Sequence, residues 1–142
     1  MKHITTAMLS AAGLMLGVTA AAADEARIAV RDGHLVNGEG MSVYLFEADE
    51  GAKGSTCTDA CAGAWPPVTS DGAPKAGDGV DPALLDTIER QNGATQVTYG
   101  GWPLYTFVRD AAPGDIKGQD VDGFGAEWYL VTPNGESLHD DY

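Results

Sequence analysis

Tyr44-Leu45-Phe46-Glu47-Ala48-Asp49 and Tyr105-Thr106-Phe107-Val108-Arg109-Asp110 are two copies of one pattern, Tyr-x-Phe-x-x-Asp, set 61 residues apart. Trp65-Pro66-Pro67-Val68 matches Trp128-Tyr129-Leu130-Val131 after a two-residue length change, and Gly40 matches Gly101 upstream. Matches in the same order on both sides of the motif make an internal duplication. In a strand, Tyr44 and Phe46 share a face, as do Tyr105 and Phe107. Each aspartate follows where the strand should end, and a carboxylate there can accept backbone N–H groups and hold the exit turn. The first reading is therefore an aromatic core pair with an aspartate turn lock, used twice. A second reading brings Tyr44, Asp49, Tyr105 and Asp110 into one pocket on a pseudo-twofold axis, where paired carboxylates could take a cation or an amine.

Outward from the motif, strand signals dominate. Arg27 to Arg31 alternates, Asn37-Gly38 marks a tight turn, and Ser42 to Phe46 is apolar on both faces as a central strand would be. Ser55 to Ala64 suits one or two helical turns carrying Cys57 and Cys61, with Ser55 and Thr58 as caps. Residues 69–80 are rich in turn formers. Asp81 as cap and Pro82 at the first helical position then predict a short amphipathic helix to Arg90, stopped by Asn92-Gly93. Gln96 to Tyr99, Gly100-Gly101 and Trp102 to Val108 read as a hairpin, with Pro103 at a strand start, an edge or a bulge. A polar loop from Asp110 to Glu127 leads to a last strand, Trp128 to Val131. The expectation is a mainly β single domain of two pseudo-repeats in a sheet or sandwich. Half 1 covers about 26–68, linker and short helix 69–93, half 2 about 94–135, and an acidic tail 136–142.

The first 23 residues have a basic start, an apolar stretch from Ile4 to about Ala20, and Ala21-Ala22-Ala23 before Asp24-Glu25. That is the layout of a cleavable secretory signal, 1–23, and it predicts a periplasmic or secreted protein without stable membrane insertion. The remaining 119 residues suit one modest core. They keep 7 basic and all 21 acidic residues, a net charge of −14, which repels nucleic acid and anionic lipid.

Cys57 and Cys61 in an exported chain read first as a structural disulfide. Thiol–disulfide exchange and a copper or zinc site are the alternatives, the latter drawing on His34, His139 and Met41. The Asp110–Glu127 loop, with Asp115, Asp120 and Asp122, has oxygen ligands suited to calcium but lacks the end positions of a calcium loop. No catalytic constellation and no cofactor-binding pattern stands out, because the serines sit in no nucleophile elbow and no glycine pattern precedes a helix. These readings favour a non-catalytic module that binds or scaffolds an envelope protein or a small ligand. The alternatives are redox or copper handling through Cys57 and Cys61, and calcium-dependent adhesion.

The doubled Tyr-x-aromatic-x-x-Asp motif resembles the secreted-repeat, or predicted lipoprotein, family of unknown function. Cys57-Thr58-Asp59-Ala60-Cys61-Ala62 running into Trp65-Pro66-Pro67 also fits that family, as do Gln96-Val97-Thr98-Tyr99 and Pro103-Leu104-Tyr105. So do the Gly114-Asp115 to Gly118-Gln119 loop and Trp128 with Pro133 and Gly135. The resemblance spans essentially the whole exported chain and implies an envelope or secreted protein. This chain has no lipid-attachment cysteine after the leader.

Overall fold

A computed structural model describes residues 25–52 and 54–139; the expected signal segment and the last three residues of the acidic tail lie outside them. Arg27–Arg31 (β1) and His34–Asn37 (β2) form an antiparallel hairpin with Ile28 opposite Asn37 and Arg31 opposite His34. Its two-residue turn, Asp32-Gly33, has φ of 55° and 87°. Two left-handed residues match the twist of the flanking strands, and Asp-Gly is a sequence that reaches that conformation readily. Asn37-Gly38 begins a separate turn in which the Asn37 side chain accepts from Glu39 and Met41 N–H. Tyr44–Phe46 (β3) follows, then a five-residue helix Ala60–Ala64 (α1), and Lys75–Ala76 (β4) runs parallel to β1.

The second half repeats the first hairpin. Leu85–Glu89 (β5) pairs antiparallel with Thr95–Tyr99 (β6), which turns through Gly100-Gly101 into Trp102–Pro103 (β7). Pro103 lies on the edge strand of this sheet, where its missing N–H leaves no gap in a ladder. Val121–Gly123 (β8) and Ala126–Leu130 (β9) form a further hairpin, and β9 pairs with β3. Among the described residues nine strands form three small sheets, β2-β1-β4, β3-β9-β8 and β5-β6-β7. No helix among the described residues is long and apolar enough to cross a membrane.

The helix expected over Pro82–Arg90 is corrected. Asp81 does cap, accepting from Ala83 N–H at 2.9 Å, but the helical segment is one 3-10 turn, Pro82–Leu84. Leu85 onward is strand, and Asn92-Gly93 sits in the turn that joins β5 to β6. A helix this short is unfavourable to nucleate alone, whereas β6 offers a ready ladder to the β-branched pair Thr87-Ile88. The polar loop 110–127 likewise yields a short strand, β8.

Period-two alternation divides the core into two clusters. Leu45 and Tyr129 face an aliphatic cluster with Ile28, Leu35, Val97 and Leu104. Their neighbours Tyr44, Phe46, Trp128 and Leu130 face the opposite side, with Trp65, Tyr105 and the two cysteines. The halves also exchange their ends. Val131 of half 2 accepts from Leu35 N–H in half 1, and Val68 of half 1 accepts from Val97 N–H in half 2.

Candidate functional site

The family motif is brought together where the two halves meet. Tyr44 N–H donates to Tyr105 O at 2.8 Å and Tyr105 N–H to Tyr44 O at 3.0 Å, a reciprocal pair on the pseudo-twofold axis. On its outer side Tyr44 pairs with Leu130, and Tyr105 bridges to Pro67, the corresponding position of the other copy. Each motif strand therefore lies against the tryptophan segment of the opposite half.

The side chains cross in the same way. Tyr44 Oη donates to Asp110 Oδ2 and Tyr105 Oη to Asp49 Oδ2, both at 2.6 Å. The second carboxylate oxygen of each aspartate turns back to its own loop. Asp49 Oδ1 accepts from Thr56 N–H and Thr56 Oγ1–H at 2.7 Å, and Asp110 Oδ1 accepts from Lys117 N–H at 2.8 Å. Thr56 and Lys117 both lie seven residues after their aspartates. Each carboxylate thus closes its own exit loop and clamps the tyrosine of the other half. Both tyrosines are completely buried, and both aspartates are buried. Burial, and then the hydrogen bond to Asp110, pushes the Tyr44 hydroxyl well above its usual pKa. Burial and then Asp49 do the same for Tyr105.

Aromatic packing follows the exchange. Trp65 and Trp128 stack face to face at 3.8 Å, Phe46 stacks on Trp128 and Phe107 on Trp65, each at 4.0 Å. The four-ring column runs Phe46–Trp128–Trp65–Phe107, so each phenylalanine lies on the tryptophan of the other copy. Tyr44 and Tyr105 meet Trp65 and Trp128 edge-on at 5.5 and 5.2 Å. Each such contact contributes about 0.5–1.5 kcal/mol beyond the area it buries.

Cys57 and Cys61 form a disulfide with Cα atoms 5.1 Å apart, and both are buried. Two neighbouring groups complete the frame; Arg90 carries no sequence signal of its own, and Gly118 enters only within the loop that resembles the family. Arg90 donates to Ser55 Oγ, Gln96 Oε1 and Cys57 O, tying the cysteine loop to the second hairpin. Gly118 N–H donates to Tyr44 Oη. A Cβ at Gly118 would lie 2.8 Å from the Trp65 ring, so only glycine fits against the column. The repeat does give an indirect clue to both loops, since Cys57 and Gly118 are themselves 61 residues apart.

The candidate metal residues do not gather. Among the described residues no three of His, Cys, Asp and Glu form a possible cation site. His34 is buried with Nδ1 near Leu35 O, and His139 Nε2 meets Ser137 Oγ. Within the 110–127 loop, Asp115 accepts from Ala111 and Ala112 N–H, which holds its pKa below the usual range. Glu127 accepts from Tyr129 Oη.

A family model described as a secreted repeat of unknown function, Lipoprotein_15, matches residues 27–69 and 86–132. The first matched segment begins at β1 and the second at β5. Strand β5, where the sequence predicts a linking helix, is thus the counterpart of β1. Neither the curated proteins nor the solved structures contain a match. With two copies of the repeat covering most of its length, the chain belongs to the Lipoprotein_15 family of secreted repeats.

Proposed function

We propose that this protein is an exported, non-catalytic module that binds or scaffolds a component of the cell envelope. The observation that carries the reading is the crossed Tyr44–Asp110 and Tyr105–Asp49 pairing. The four polar side chains of the duplicated motif are buried and bonded to one another and to their own loops, so the motif serves architecture. Both cysteines are buried residues, which slows attack by an outside thiolate and supports a structural bridge. A net charge of −14 on the exported chain disfavours nucleic acid as partner. Recognition then belongs to the surface.

Native mass spectrometry of the protein purified from its own envelope fraction tests this reading directly. A small molecule or partner protein retained at defined stoichiometry is the expected result. Turnover in an unbiased hydrolase or oxidoreductase screen that vanishes in a folded Asp110→Asn variant would overturn it.

A further inference from the structure

Among the described residues the two large apolar side chains most exposed to solvent, Val108 at 56% and Phe124 at 52%, line one groove. Its floor is formed by Trp65, Val121 and Phe107, the half-buried end of the four-ring column. Its volume of about 630 Å3 lies in the range of small-molecule sites. Phe124 stands at the turn between β8 and β9 with φ of 59°, followed by Gly125 at 96°. Asn or Gly would make that turn without strain, yet an aromatic ring occupies it.

Charge separates this groove from the rest of the surface. Arg109 and Lys117 line it and no carboxylate does, although acids outnumber bases three to one in the exported chain. The duplication supplies an internal control. The corresponding face of the first half shares the Phe124 ring but is otherwise lined by Phe46, Ala48, Thr56 and Asp59, with no cation, so the two faces differ in charge and not in that ring. At the offset of 61, Glu47, Ala48 and Thr56 stand where the second half has Val108, Arg109 and Lys117. The tyrosines, phenylalanines and aspartates that build the frame are the same in both copies. The groove residues differ and change the sign of the local charge.

We propose that this groove is the ligand site of the molecule and takes a small planar aromatic carboxylate. The ring extends the column beyond Phe107, beside Phe124, and the carboxylate meets Arg109 and Lys117. Stacking against an open aromatic end favours a flat ring over a flexible chain. An extended anionic surface would face the repulsion of the whole acidic protein. A small anion feels chiefly the two cations within a screening length of about 8 Å. The proposal rests on the binding role above and gives it a place and a ligand chemistry.

Titration of the exported chain with 2-naphthoate, followed by calorimetry and by backbone amide NMR, tests it. Naphthalene-2-carboxamide and decanoate serve as the neutral and the non-aromatic controls. Saturable binding should shift the amides of Val108, Lys117, Val121 and Phe124. Both controls should bind at least about tenfold more weakly, a difference of about 1.4 kcal/mol. The Arg109→Glu/Lys117→Glu double variant and Phe124→Asn should keep the amide spectrum of the fold and lose affinity. Lys117 contributes to the Asp110 lock only through its backbone, and Asn suits the left-handed turn. No saturable shift, equal affinity for the carboxamide, or unchanged binding in the double variant would overturn the assignment. Saturable shifts confined to other residues would refute this groove and leave the binding role standing. Conversion of a probe to a new species would instead refute the non-catalytic reading.

Discussion

Replacing Tyr44 by phenylalanine removes one oxygen and two buried hydrogen bonds. The donation to Asp110 is of the charge-assisted kind, worth about 1.5–3 kcal/mol, and the Gly118 N–H loses its acceptor at a further cost of about 1–3 kcal/mol. Asp110 is left with a single donor to its carboxylate, Lys117 N–H. Tyr105→Phe removes the matching oxygen, but Asp49 keeps both Thr56 donors, and Ser55 Oγ keeps Arg90 and Cys57 N–H. Tyr44→Phe should therefore cost about 3–4 kcal/mol and Tyr105→Phe about 2 kcal/mol. At roughly 3–5 °C per kcal/mol for a chain of this size, Tm should fall by about 9–20 °C and 6–10 °C. Urea unfolding followed by tryptophan fluorescence reads both, because Trp65 and Trp128 report from the same cluster. Losses under about 0.5 kcal/mol for both variants, the scale of ordinary surface substitutions, would refute the reasoning. So would a larger loss for Tyr105→Phe.

Alkaline pH should destabilise the fold. Both tyrosines are held above the unfolded value of 10.0, so their contribution is complete below that pH and is lost as pH rises past it. Stability measured by urea titration should fall by about 1.4 kcal/mol per pH unit for each tyrosine still protonated, and each Tyr→Phe variant should remove its share. Gly118→Ala should destabilise by about 1–3 kcal/mol through overpacking against Trp65 and Tyr44, visible as a lower urea midpoint. Joint replacement of Cys57 and Cys61 by alanine should cost about 2 kcal/mol, since the closed loop is short. A thermal melt that shows loss of the folded state at 25 °C would contradict that local role.

Much of the frame could be read from spacing. The offset of 61 locates the repeat, period-two alternation puts Tyr44 with Phe46 and Leu45 opposite, and an aspartate at a strand exit invites backbone N–H groups. The exchange between halves was not legible. A repeated motif shows that two units are alike without showing whether each tyrosine bonds its own aspartate or that of the other copy. Leu85–Glu89 misleads because its two apolar residues, Leu85 and Ile88, stand three apart, the spacing of a helix face, and the cap at Asp81 is genuine for a single turn. Extending the repeat alignment upstream to β1 would have marked it as strand. The groove was invisible for a different reason. Val108, Arg109, Lys117 and Phe124 are scattered single residues until the fold gathers them.

Double-mutant cycles on the crossed lock reach the heart of the matter. Tyr44→Phe combined with Asp110→Asn should show a coupling of at least about 1 kcal/mol, whereas Tyr44→Phe with Asp49→Asn should be additive within about 0.5 kcal/mol. Strong coupling of Tyr44 to Asp49 with none to Asp110 would mean that each repeat closes on itself, and the intertwined fold described above would be wrong.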